Sequence, residues 1–313
     1  VEFAERIKSP VSCSLMGMGA FPGNHPYYMG MVGMHGTRYS NYAVSKCDVL
    51  LAVGARFSDR VVSKMDGFAP EAKIIHIDID PAEVSKNVTA HIPLYGDVKA
   101  ILRELTGRVR QKEANEWNRQ IQEWKEAYPL RYKGHGSLSP QYVIEKLYEL
   151  TEGKAVITTE VGQNQMWTAQ YYKFSEPRTF ITSGGLGTMG FGLPAAIGAA
   201  IGRPDRDVVL ITGDGSFQMC IQELATVVQE GVPVKIVLLN NGYLGMVRQW
   251  QEMFYKGRYK EVDLRRGMPD FVKLAEAYGI KGLQVRQLGE LEPAVAEARA
   301  HDGPVVLEVV VAE

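Results

Sequence analysis

The sequence predicts an α/β protein made of two doubly wound parallel-sheet domains. Short apolar runs alternate with helical patterns through both halves, as βαβ units require. A polar stretch rich in Gly, Ser and Pro separates the halves. The 313 residues also match two domains of about 100–200 residues each.

In chain order, VEFAERIKSP has the pattern of an amphipathic helix met in mid-course with no initiator Met, so a longer parent chain is expected. VSCSL, DVLLAVGARF and AKIIHIDID read as buried strands, and TRYSNYAVSKC and VKAILRELTGRV as the helices among them. The charged, Trp-containing QKEANEWNRQIQEWKEAYPL and then RYKGHGSLSP read as a connection. The second half alternates again. PQYVIEKLYELT, GLPAAIGAAIG, MCIQELATVVQEG, LGMVRQWQEMF and DFVKLAEAYG read as helices, and AVITTEVG, RTFITSGG, DVVLITGDG, VKIVLLNN and PVVLEVVV as strands. The expected boundaries are a first domain over 1–110, a connection over 111–137 and a second domain over 138–313.

Composition narrows the functional classes. A formal net charge of −1 gives no reason to expect nucleic acid or an anionic membrane surface as partner. No apolar run reaches the ~18 residues of a membrane span, and no signal peptide opens the chain. Cys13, Cys47 and Cys220 are scattered and lack C-x-x-C spacing, which points to free thiols in a reducing cytoplasm.

Chemistry concentrates where strands end. Asp214 follows DVVLIT between Gly213 and Gly215, and Asn240 and Asn241 close VKIVLL. A helix from about Phe217 to Glu230 would run back roughly 20 Å, and the next strand would return a similar distance. A right-handed crossover then brings the asparagines to the edge that holds Asp214. One carboxylate with amide and backbone oxygens suits Mg²⁺ that also takes phosphate oxygens. The flanking glycines admit a ligand to the backbone, and a helix N-terminus after Ser216 favours an anion. Taken singly, each motif is more simply a turn. A rival signal is the G-x-G-x-x-G at Gly185, Gly187 and Gly190, with Asp214 at a dinucleotide-like distance. It leaves both asparagines and the second glycine unexplained.

GDGSFQM followed by LLNN resembles the magnesium motif of thiamine-diphosphate enzymes. Within them, the chain is similar to the catalytic large subunit of acetohydroxyacid synthase, also called acetolactate synthase. LMGMGAFPGNHPYYMGMVGMHGT, VGARFSDRV, IIHIDIDP, EVGQNQMW, TSGGLGTMGFGLPAAIGAA and NNGYLGMVRQWQ carry the likeness nearly end to end. The resemblance implies a central FAD-contacting domain followed by a thiamine-diphosphate domain. Asp214, the Asn241 side chain and the Tyr243 backbone oxygen would ligate Mg²⁺. Val161, Gly162, Gln163, Asn164, Gly213, Gly215, Ser216, Leu244 and Gly245 would line the diphosphate. Gly187 would meet the aminopyrimidine, and Met189 would wedge beneath the bent cofactor. Ser14, Leu15, Met34, His35, Gly54, Arg56, Asp78, Gly96 and Asp97 match FAD contact positions. Arg60 would bind the substrate carboxylate as a planar donor, and Trp250, on a helix face shared with Met246, would shape the acceptor pocket.

The implied reaction is decarboxylation of pyruvate and transfer of the hydroxyethyl unit to a second 2-ketoacid, pyruvate or 2-ketobutyrate, early in branched-chain amino-acid synthesis. A homodimer or tetramer and a regulatory small subunit are implied as well. The family's catalytic glutamate belongs to an N-terminal domain that this chain lacks, Glu160 does not match it, and the closing tail is absent after VVLEVVVAE. A fragment inactive by itself is therefore expected. FSDR also stands where an Asp-Asp pair is usual, with Asp59 and Arg60 kept. Another thiamine-dependent decarboxylase or carboligase, or a noncatalytic cofactor-binding module, are the alternatives.

Overall fold

A computed structural model describes residues 1–132 and 137–311, apart from the side chain of Asp66. Part of the expected connection, residues 133–136, and the last two residues lie outside the described set. The chain divides into two compact units, Val1–Arg131 and Tyr132–Glu313.

The first unit has two parallel sheets. Strands β1 (Val11–Cys13) and β2 (Tyr28–Met31) pair, and β3 (Val49–Val53), β4 (Lys73–Asp78) and β5 (Ile92–Tyr95) form a second sheet in that order. The opening helix is present at Glu2–Ile7. Thr37 caps helix Arg38–Lys46 through the Ser40 N–H, and Asp97 caps Val98–Arg108 through the Ala100 N–H. Within the charged stretch 111–131, helix Glu116–Ala127 begins at an Asn115 capping box and belongs to this unit. Its Lys125 Nζ donates to the carbonyls of Pro26 and Tyr28. Its Ile121 is buried against Met29 and Ala43.

The second unit is one six-stranded, all-parallel sheet. Its strands are β6 (Val156–Thr159), β7 (Phe180–Ile181), β8 (Val208–Gly213), β9 (Lys235–Asn240), β10 (Lys281–Val285) and β11 (Val305–Val310), in the order β10-β11-β9-β8-β6-β7. Strands β6, β8, β9 and β11 are buried along nearly their whole length. Such strands read as unbroken apolar runs rather than alternating ones. Leu193, Leu210, Phe217, Ile236 and Phe271 anchor a core cluster on this sheet.

The order reverses at β6: the chain goes to β7 on one side and returns to β8 on the other. Carboxyl ends of strands at such a reversal open a crevice where ligands bind. One expected element differs. In place of one helix from Phe217 to Glu230 there are a helical turn at Asp214–Phe217, a 3-10 turn at Ile221–Glu223 and a helix at Leu224–Glu230. The anion-binding helix N-terminus expected after Ser216 is therefore not formed.

Candidate functional site

The crevice between β6 and β8 is where the strand-end residues of the second unit meet. Asp214 is only 1% exposed, and its Oδ2 has no hydrogen-bond partner. Burial pushes its carboxyl up to about 6, against the pull of the Gly215 and Gly242 N–H groups. Asn164 is likewise buried with an unpartnered Oδ1. Its Nδ2 lies 3.2 Å from where a Cβ on Gly213 would stand, a tight approach that glycine leaves open. Buried oxygens with unmet capacity could accept from a cation or a donor-rich group.

The loop after β6 closes against the turn after β8. Ser216 Oγ donates to the Val161 carbonyl at 3.0 Å. Gly245 sits under Gln163, whose Oε1 would be 2.0 Å from an added Cβ. Gly215 faces Leu244 and Leu264 at 2.7 and 3.0 Å from its would-be Cβ, with Met189 Cε at 3.9 Å. Gly187 has φ +68, and its would-be Cβ is 3.9 Å from Val161 Cγ1. Val161, Gly162, Gln163, Asn164, Gly187, Met189, Gly213, Asp214, Gly215, Ser216, Leu244 and Gly245 thus lie close together past the ends of β6, β8 and β9.

The paired asparagines part ways. Gly213 is in register with Leu239, so Asn240 follows at the level of Asp214. Its Nδ2 donates to Glu308 Oε1 at 2.7 Å, and its Oδ1 accepts from the Gly242 N–H. Asn240 therefore braces the turn and is not left as a free ligand beside Asp214. Asn241 Oδ1 accepts from the Tyr243 N–H at 3.1 Å. The Tyr243 ring lies under the Arg248 and Arg265 guanidinium groups at 4.1 and 4.9 Å. Segment Val262–Leu264 straps this turn, through Leu244 N–H to the Val262 carbonyl and Leu264 N–H to the Gly242 carbonyl. Helix Gly245–Tyr255 follows, with none of its residues buried, and Trp250 packs on Phe254 at 5.0 Å while Met246 is half-buried.

Glu160 is a site residue the motifs did not assign. It is fully buried. Its Oε2 accepts from the Gly190 N–H at 2.6 Å, and its Oε1 from the N–H groups of Gly192 at 2.7 Å and Leu193 at 3.3 Å. Burial raises its pKa while those N–H groups oppose the shift. The available signal was an acid ending the apolar run AVITTE. Its carboxylate occupies the N-terminus of helix Gly192–Gly202, where the dinucleotide reading of the glycine loop would put a pyrophosphate.

In the first unit, Asp78 ends β4 and lies with Gly54 and Gly96, which follow β3 and β5: Gly54 N–H donates to the Ile77 carbonyl and Gly96 N–H to that of Asp78. Gly54 has φ +59 and Gly96 φ +145, conformations suited to glycine. Val53, Ile79 and Tyr95 are exposed along this edge. Asp78 Oδ1 accepts from the Asp80 N–H, and the Asp97 side chain is spent on its helix cap. Arg56 is exposed, with its carbonyl held by Asn87 Nδ2. Met34 N–H donates to the Arg60 carbonyl, the exposed Arg60 guanidinium points toward Met34 Sδ at 3.8 Å, and His35 feels the Arg60 charge. Ser14 and Leu15 are half-buried at a 3-10 turn after β1.

Among the described residues, no group of three or more His, Cys, Asp or Glu is placed to hold a metal, and no helix is long and apolar enough to cross a membrane.

Residues 160–309 match the C-terminal thiamine-pyrophosphate-binding domain of thiamine pyrophosphate enzymes, and residues 1–105 match their central domain. The chain belongs to the thiamine pyrophosphate enzymes. Within them it is homologous to acetolactate synthases over nearly its whole length. It is 49% identical to acetolactate synthase of Mycobacterium bovis, over 99% of this chain and 52% of that protein. Identity is 48% to the isozyme 3 large subunit of Escherichia coli K12, over 95% of this chain and 53% of the relative. It is also 48% to the chloroplastic acetolactate synthase 1 of Nicotiana tabacum, over 99% of this chain and 48% of that protein. The chain spans about half the length of these curated relatives.

Proposed function

We propose that this chain is part of an acetolactate synthase catalytic subunit and is inactive by itself. The whole subunit would take pyruvate, release CO₂ and join the remaining two-carbon unit to pyruvate or 2-ketobutyrate. The observation that carries the reading is the buried, unpartnered Asp214 Oδ2, with the unpartnered side chain of Asn164 against the adjacent Gly213. Asp214, the Asn241 side chain and the Tyr243 carbonyl are the groups for Mg²⁺, whose hard-oxygen preference they meet. Val161, Gly162, Gln163, Asn164, Gly215, Ser216, Leu244 and Gly245 would hold the diphosphate through backbone N–H and short polar groups. Bound thiamine diphosphate supplies the electron sink for decarboxylation. Gly187 and Met189 would support its ring end, and a residue lost from Gly215 in favour of any side chain would fill that space.

Arg60 is exposed and would orient a 2-ketoacid carboxylate. Trp250 and Met246 would set the size of the acceptor. In the first unit, the exposed strand ends around Gly54, Asp78 and Gly96 fit an extended dinucleotide such as FAD, with Ser14, Leu15, Met34, His35, Arg56 and Asp97 around it. A homodimer or tetramer with a regulatory small subunit completes the proposal. Three free cysteines are in keeping with a reducing compartment such as the cytoplasm, whereas the tobacco relative is chloroplastic by name.

Calorimetric titration tests the core of the reading. The chain is expected to bind thiamine diphosphate only with Mg²⁺, and Asp214→Ala to abolish that binding. Unchanged affinity in the variant would remove Asp214 from the site. Assaying acetolactate against free aldehyde separates a synthase from a simple decarboxylase.

A further inference from the structure

The loop from Thr182 to Gly192 is an arch with two fixed feet. At the first foot, Gln165 Nε2 donates to Thr182 Oγ1 at 2.7 Å and to the Ser183 carbonyl at 3.3 Å, and Ser183 Oγ accepts from the Thr188 N–H. At the second, both oxygens of Glu160 are taken up by the N–H groups of Gly190, Gly192 and Leu193. Gly190 has φ +89, and its would-be Cβ is 2.9 Å from Cys220 Sγ and 3.1 Å from Met219 Cβ, so the loop lies close against these two residues there. Gly192 is pressed against the Thr159–Glu160 backbone, 2.9 Å from its would-be Cβ. Between the feet the arch stands in solvent, with Leu186 96% exposed at its apex. Gly187 and Met189 project from this span toward Val161 and Gly215.

A carboxylate without a cationic partner, buried at the base of a ligand loop, costs stability unless its two oxygens are both satisfied. Three charge-assisted N–H bonds meet that need, and they fix the loop's exit from the crevice. We infer that Glu160 is a positioning residue that holds the Gly187–Met189 arch in place for the ring end of the cofactor, while the diphosphate end depends on Asp214 and its own turn. The inference rests on the thiamine diphosphate reading above. A glutamine here accepts through one oxygen only and turns its own NH₂ against a backbone N–H. The shape survives, and one side of the tether is lost.

The discriminating measurement compares two ligands on the full chain by calorimetry: Mg²⁺ with thiamine diphosphate, and Mg²⁺ with inorganic pyrophosphate. Glu160→Gln is expected to weaken the first by about tenfold or more and to leave the second within about twofold. A parallel fall in both, as from general damage, overturns the inference, and so does no change in either. A wild-type chain that takes up neither ligand overturns the thiamine diphosphate reading and this inference with it. Should the variant not fold, hydrogen exchange on the wild-type chain without ligand decides. Gly190 and Gly192 amides are expected to exchange at least about a hundredfold more slowly than that of Leu186, and equal rates refute the tether.

Discussion

Asp214 shows how one residue can serve binding at the expense of the fold. It is a buried carboxylate with one oxygen unmet, and such a group costs about 1–3 kcal/mol. In metal-free buffer near pH 8, Asp214→Asn is therefore expected to raise the chain's stability by about 1–2 kcal/mol while removing Mg²⁺-dependent binding. Urea unfolding in the presence of a chelator measures this, and a destabilised variant would count against an unmet charge. His35 allows a test with a definite pH sign. Burial first, and then the Arg60 charge, lower its pKa from the ordinary 6.5. The folded chain thus binds fewer protons there than the unfolded one. The stability this contributes is present above about pH 6.5 and is lost as pH falls through the lowered folded value. His35→Gln should lose less melting temperature on acidification across that window, and identical slopes would remove His35 as the source. His35 stands out in sequence only by motif, and Asp214 also by its place at a strand end. Their burial, which sets their energetics, comes from the packing of other elements.

Among the elements, helix Gly192–Gly202 carries a paired prediction. An added methyl at Gly192 would stand 2.7 Å from Leu210 Cδ1 and 2.9 Å from backbone atoms of Thr159 and Glu160, whereas Gly198 has nothing within 4 Å. Gly192→Ala should cost about 1–3 kcal/mol by overpacking, and Gly198→Ala should gain up to about 1 kcal/mol from helix propensity. Urea midpoints check the pair, and equal shifts would mean the helix tolerates movement at its first turn. Strands β4, β8, β9 and β11 were legible because strands buried on both faces read as continuous apolar runs. β2 was not legible, since it is four residues with Gly30 inside. β5 has Pro93 and exposed positions at a sheet edge, where proline is tolerated. β10 is also an edge strand, and its Gly282 would meet the Val272 backbone at 3.0 Å with any side chain. Helix Gln163–Tyr171 escaped because it is polar along the side that buries Asn164, Gln165 and Thr168 at the crevice. The Asp214–Asn241 juxtaposition was legible from strand length and crossover hand. The Glu160 tether was not, because hydrogen bonds to backbone N–H groups 30 to 33 residues away leave no side-chain pattern.

Across the whole molecule, the same rule operates in each unit. The residues proposed to bind lie at or just past the carboxyl ends of parallel strands: Gly54, Asp78 and Gly96 at β3, β4 and β5, and Val161, Asp214 and Asn241 after β6, β8 and β9. Parallel packing aligns strand dipoles and loop exits at one edge, and the reversal of strand order leaves room there. The opposite edge of the second unit is committed to structure. There, Lys235 Nζ, on a largely buried side chain, donates to the carbonyls of His301 and Gly303. Ligand protection should therefore be one-sided within each unit. At a free concentration of a hundred times Kd, a ligand adds about 2.7 kcal/mol to the state that binds it. With Mg²⁺ and thiamine diphosphate, amides at 161–164, 214–216 and 241–245 are expected to slow first in hydrogen exchange, with that of Gly303 least affected. With FAD, the amides expected to slow are those at 54–56, 78–79 and 96–97. FAD that slows none of these three stretches would remove the first unit's strand ends as its site. Mg²⁺ and thiamine diphosphate acting as strongly at Gly303 as at Asp214 would point to general tightening of the unit, without a ligand seated at the crevice.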